Sequence, residues 1–168
     1  MDTSFMNHMS RFSRHNFLYP SFYLTCQESL PLKKVKEAAK ALSTKNKLTI
    51  SQSELWGNSY IGIDEKEQKI VFLKFSENEI YERVVAISSI KDCMILEQRK
   101  FFKVKNKKDS HLEKLDLKIT LKSGQPFELN FYDETLNYSE DFEVKRIEKW
   151  KSLINEFLTI DEKAKQVA

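Results

Sequence analysis

The three histidines, two cysteines and scattered serines are the groups in this 168-residue chain that could do chemistry, and their spacing assembles little. His8, His15 and His111 form no HxxxH pair, and Cys26 and Cys93 no CxxC pair. A zinc set is therefore not expected, and the thiols read as reduced and metal-free. His111 lies between Asp109 and Glu113. A carboxylate could orient its ring for proton transfer, yet basic residues precede it, and we read it as an exposed loop histidine. Ser51, Ser53, Ser88 and Ser89 lack the flanking pattern of a nucleophile elbow. Asp64, Glu65 and Glu67 crowd one turn. They lack the ligand count and spacing of a calcium loop, so solvated turn charge is expected. Gly57, Gly62 and Gly124 lie too far apart for a phosphate cradle. The expectation is a protein that is not an enzyme, with no catalytic residue, no cofactor and no metal.

Charge is more informative. The net charge is +3, but residues 33–47 alone carry +5 and residues 99–108 carry +6, so the rest of the chain is acidic. Basic character gathered in two places suits an anionic partner. The second segment, RKFFKVKNKK, holds Arg99, Lys100, Lys103, Lys105, Lys107 and Lys108 around Phe101 and Phe102. It is the candidate anion or partner patch.

Elements must position these groups. Residues 1–30 form an aromatic, basic arm with Phe5, Phe12, Phe17, Tyr19, Phe22 and Tyr23. Three readings of residues 1–28 stay open: an arm packed on the domain or on a second copy, a peripheral membrane anchor, or a signal remnant. The apolar run is shorter than the ~20 residues that span a bilayer, and no small-x-small cleavage site follows it. From Pro31, Leu32, Val35, Ala39 and Leu42 repeat at helical spacing, which predicts an amphipathic, lysine-rich helix over 31–46. SYIGID and KIVFLKF flank a turn and predict a hairpin, Ser59–Asp64 with Lys69–Phe75. Strands are expected at 81–88 and 91–98, the latter with Met94 and Leu96 on one face. Leu115, Leu117, Ile119 and Leu121, then Phe127, Leu129 and Phe131, alternate with polar residues. That is an antiparallel hairpin with one buried and one wet face, Asp116 on the wet one. A helix follows, with Ser139 as N-cap and Glu140 and Asp141 at its positive end. Ile147, Trp150, Ile154 and Phe157 make its inner stripe, a structural cap, with Leu158 beside them; 161–168 reads as a fraying polar tail.

Six or seven antiparallel strands and a terminal amphipathic helix define an α+β, mainly β class. Over residues 48–160 the pattern resembles a pleckstrin-homology-like domain. That resemblance implies a split barrel closed at one end by a C-terminal helix, with Trp150 at the position of the fold's capping tryptophan. YIGIDEKEQKIVFL, ISSIKDCMI, LDLKITLKSGQPFELNFYD and EKWKSLINEFL are also similar to a group of bacterial proteins carrying such a domain, many with a membrane span ahead of it. Phosphoinositide-binding members use basic residues around their first hairpin. Here DEKEQK at that turn has a net charge of −1, so the resemblance does not extend to that pocket.

The functional expectation is a non-catalytic interaction module that binds a protein or peptide through loops or a sheet edge. The alternative is peripheral binding to anionic lipid through 33–47 and 99–108. A further alternative is weak nucleic-acid binding, disfavoured by a pI of only about 8.7. The expected location is cytoplasmic, with membrane-peripheral binding as the variant; a homo-oligomer through residues 1–28 is a further open reading. Parity sets the candidate patch: an unbroken strand from Lys91 would send Met94, Leu96, Phe102 and Val104 to the core and leave Phe101 outside. A turn near Gln98–Lys100 would exchange the two phenylalanines.

Overall fold

A computed structural model describes residues 30–76, 79–104, 107–136 and 142–167. The aromatic arm, Ser139, Glu140, Asp141 and Lys105 lie outside the described residues. The chain is α+β and mainly β. Helix α1 (Leu30–Lys45) precedes strands β1 (Gln52–Trp56), β2 (Ser59–Asp64), β3 (Lys69–Phe75) and β4 (Ile80–Ala86). One 3-10 turn, Ile87–Ser89, leads to β5 (Ile90–Val104), β6 (Lys107–Leu121) and β7 (Pro126–Asp133), and α2 (Glu143–Val167) follows. Two antiparallel sheets result, in orders β1-β2-β3-β4 and β5-β6-β7, and they do not close into one barrel.

The expected hairpin of β2 and β3 is present with its predicted bounds. Strand β1 adds an earlier hairpin whose turn is Gly57–Asn58, so the acidic turn belongs to the second hairpin. Sheet β1–β4 is not wet on one side at its centre. Ile70 and Phe72 of β3 join the core between the sheets, while Val71 and Leu73 pack with Val35 and Leu42 of α1. A strand buried on both faces reads as a continuous apolar run rather than an alternation, which is how KIVFLKF reads.

Helix α1 ends in a Schellman motif. Leu48 N–H donates to Ser43 O (2.9 Å), Lys47 N–H to Thr44 O (3.1 Å), and Lys47 takes the left-handed conformation at φ 55°. Helix α2 packs on the second sheet and the 3-10 turn, burying Ile147, Trp150 and Ile154, with Phe157 half-buried against the same core. It is also tied to β1. Arg146 Nε lies 3.0 Å from Glu54 Oε2, Lys149 bonds the same carboxylate, and the Arg146 guanidinium sits 4.8 Å over the Trp56 ring. The expected fraying tail is helical as far as Val167.

Three register shifts shape the second sheet. Opposite Gln98 and Arg99, β6 carries one extra residue, Glu113, and the Glu113 carbonyl accepts the Glu134 N–H (3.0 Å). In β7 Phe131 is the extra residue, and its carbonyl accepts Trp56 Nε1–H (3.1 Å). Each bulged peptide thus uses its freed acceptor to fasten a neighbouring segment. The third shift, at Lys91, sets the parity of β5. Cys93 and Ile95 face the core, not Met94 and Leu96; Met94 is 42% exposed.

Candidate functional site

The basic segment is the far end of the β5–β6 ribbon. Pairing continues through Phe101↔Ser110, Phe102↔Asp109, Lys103↔Lys108 and Val104↔Lys107. The strand is unbroken, but neither phenylalanine is core: Phe101 is 76% exposed and Phe102 43%. Phe102 was expected inside on an even-numbered core face. The shift at Lys91 gives the core to odd positions; Leu112, opposite Arg99, is still core, but beyond that pair the ribbon runs past the packed elements, so core-side parity no longer means burial.

Antiparallel partners share a face, so the pairing sorts the ribbon's side chains. Arg99, Phe101 and Lys103 lie with Lys108 and Ser110 on one face; Lys100 and Phe102 lie with Asp109 and His111 on the other. Arg99 is partly neutralised by Glu97 and also reaches Ser110 Oγ (3.4 Å). The first face therefore has an exposed aromatic ring between cations and no acid beyond Glu97. The second carries an acid of its own. His111 is in strand β6, not in a loop, and is exposed as expected, with Nε2 2.8 Å from Glu134 Oε2.

The six lysines of segment 33–47 are also exposed, on α1 and the residues that end it. Helix α1 packs on β1, β2 and β3, whereas the ribbon end belongs to β5 and β6. The two basic segments thus sit on different sheets.

Asp64 departs from the solvated-turn reading. It is buried, with one carboxylate oxygen accepting Thr49 N–H (2.7 Å) and the other Glu67 N–H (2.9 Å). The Glu67 and then the Thr49 amide bonds hold its pKa below the ordinary carboxylate value. It ties the chain after α1 to the β2–β3 turn, so its role is structural. Among the described residues no cluster of His, Cys, Asp and Glu is placed to hold a metal ion. Cys93 is a free buried thiol whose pKa is pushed up to about 12, chiefly by burial.

A second location was not foreseen. At the seam between the sheets, a cleft of about 370 Å³ opens among β3, β4, β6 and β7. Lys74, only 6% exposed, bonds Asn130 Oδ1 there, with the Asn130 carbonyl at 3.5 Å. Asn130 Nδ2 donates to Asp116 Oδ1 (2.7 Å), and Lys114 Nζ lies 2.8 Å from Asp116 Oδ2. Burial lowers the Lys74 pKa to about 8, against the pull of Asp133, Asp116 and Glu143. Asp116, expected on the wet face, is 2% exposed because side chains of the first sheet cover it: Lys74 reaches Asn130, and Tyr81 Oη donates to the Glu128 carbonyl (3.3 Å). The only sequence signal was Lys74 itself, a lysine two residues beyond Phe72 on the inward parity of an apolar strand.

No family model matches this chain, and no curated protein or solved structure matches it. Among the described residues, no helix is long and apolar enough to cross a membrane.

Proposed function

We propose that the protein is a non-catalytic interaction module of pleckstrin-homology-like architecture that docks on anionic membrane lipid through the β5–β6 ribbon. The architectural part is supported by element order: a four-stranded antiparallel sheet, a three-stranded one, then a helix burying Trp150. The functional part rests on one observation, the exposed Phe101 beside Lys103, Lys108 and Arg99 on one ribbon face. A broad planar anion suits that face better than a deep pocket would. The phenylalanine can enter the interface while the cations stay at headgroup level. Lys103 and Lys108 contribute ~1 kcal/mol each near an anionic leaflet, and burying the ring adds ~2 kcal/mol. The sum, about 4 kcal/mol, corresponds to millimolar binding. One ribbon therefore gives weak, reversible, salt-sensitive association.

Sedimentation with neutral and phosphatidylserine-containing vesicles over a salt series tests this. Binding should need the anionic lipid and fade with salt, and Phe101→Ser should weaken it more than Phe102→Ser. Equal recovery on neutral vesicles would sink the membrane reading. A second reading, a protein or peptide partner, is favoured by β5 being an edge strand among the described residues. An extended peptide could add there. Nucleic acid could use the same basic face, and a flat titration with single- and double-stranded DNA at low salt removes that option.

A further inference from the structure

The inter-sheet cleft makes a different demand from the ribbon. Its walls are apolar where Phe72, Tyr81 and Leu136 line it, and its remaining lining is largely charged. Four carboxylates, Glu79, Asp116, Glu128 and Asp133, stand against two ammonium groups, Lys74 and Lys114. The lining is thus two charges negative when every group is ionised. Concave, low-dielectric walls concentrate such a field. Burial opposes ionisation of Asp133, yet bonds from Thr135 N–H (2.9 Å) and Oγ1 (2.6 Å) outweigh it and keep its pKa low. Asp116 and Lys114 already satisfy each other, while Glu128 is only loosely held, 3.8 Å from Lys114 Nζ. A carboxylate or phosphate ligand would meet net repulsion here. A cation on a short apolar stem would meet attraction at its head and rings along its stem.

We propose that this cleft is a recognition site for an alkylammonium or guanidinium group, either on a free amine or on a lysine or arginine side chain of a partner peptide. Lys74 makes the site proton-linked. The charged groups facing it are Asp133, Asp116 and Glu143, opposed by Lys114, with Glu79 and Glu128 on the rim. When Lys74 loses its proton the cleft becomes more negative and a cationic ligand gains. Affinity should therefore rise as pH passes through the value near 8 set by burial.

The test is an NMR titration of the full chain with n-butylammonium, with a blocked lysine amide inside a glycine peptide, and with butyrate as the anionic control. Saturable shifts of the Tyr81, Asn130 and Leu136 amides are expected with the cations and not with butyrate. Affinity should increase severalfold from about pH 7 to about pH 9, a window in which butylammonium keeps its proton. Lys74→Met should bind more tightly at pH 7 and lose that rise, and Glu128→Gln should bind more weakly. If Lys74→Met does not fold, the wild-type pH series still decides. Tighter binding of the lysine peptide assigns a peptide partner; equal binding assigns a free amine. Butyrate shifting the same amides equally, or affinity that is flat or falling with pH, overturns the proposal.

Discussion

Lys74 and the two tryptophans carry the sharpest consequences of single side chains. A folded-state pKa near 8, against 10.5 in the open chain, means that burying charged Lys74 costs stability at neutral pH, on the order of 3 kcal/mol. Between about pH 8 and pH 10.5 the unfolded state holds the extra proton, so stability should rise with pH across that window. Lys74→Met removes the penalty but leaves Asn130 without its donor, so a net gain of about 1–2 kcal/mol at neutral pH is expected, with the alkaline rise abolished. Urea titrations of both chains at several pH values check both points. The tryptophans differ in their polar end. Trp56 Nε1 bonds the Phe131 carbonyl, whereas Trp150 Nε1 is buried with no hydrogen-bond partner among the described residues. Trp150→Phe should cost less than Trp56→Phe, by about 1 kcal/mol, because only the latter strands a buried carbonyl. Comparable midpoints for the two variants would contradict the pairing of Trp56 with Phe131.

At the scale of elements, what the sequence revealed depended on whether alternation survived. The β6–β7 core face was legible because Leu115, Leu117 and Ile119 alternate without interruption, and the β2–β3 hairpin because two apolar runs flank a turn. The direction of Phe101 and Phe102 was not, because a single unpaired residue at Lys91 exchanges faces and composition carries no mark of it. The cleft was hidden for another reason. Its members lie far apart in sequence, 56 residues in the Lys74–Asn130 contact, and only the approach of two sheets joins them. Helix ends obey local rules, and α1 gives a clean test. Lys47 holds the left-handed position that glycine fills at no steric cost. Lys47→Gly should raise stability by about 1 kcal/mol, seen as a higher melting temperature with α1 unchanged by NMR. A lower melting temperature would mean that the lysine side chain matters more than the backbone strain.

Across the whole molecule, β3 decides whether α1 is an accessory or part of the fold. The sequence divided the chain at residue 47, with a helix before it and a domain after it. Yet Val71 and Leu73, fully buried under α1, alternate along one strand with Ile70 and Phe72, which are buried between the sheets. A strand cannot keep one face packed while the other loosens, since its backbone position is common to both. The Asp64 bonds to Thr49 and Glu67 add a second link from the chain after α1 to the β2–β3 turn. The two cores should therefore melt as one unit. Leu42→Ala, under α1, and Ile154→Ala, under α2, are each expected to cost about 2–5 kcal/mol and to move the same single transition, seen alike by circular dichroism and tryptophan fluorescence. A docked but independent α1 would give a different outcome: Leu42→Ala would split off an early helical transition and leave the tryptophan signal of the inter-sheet core where it was.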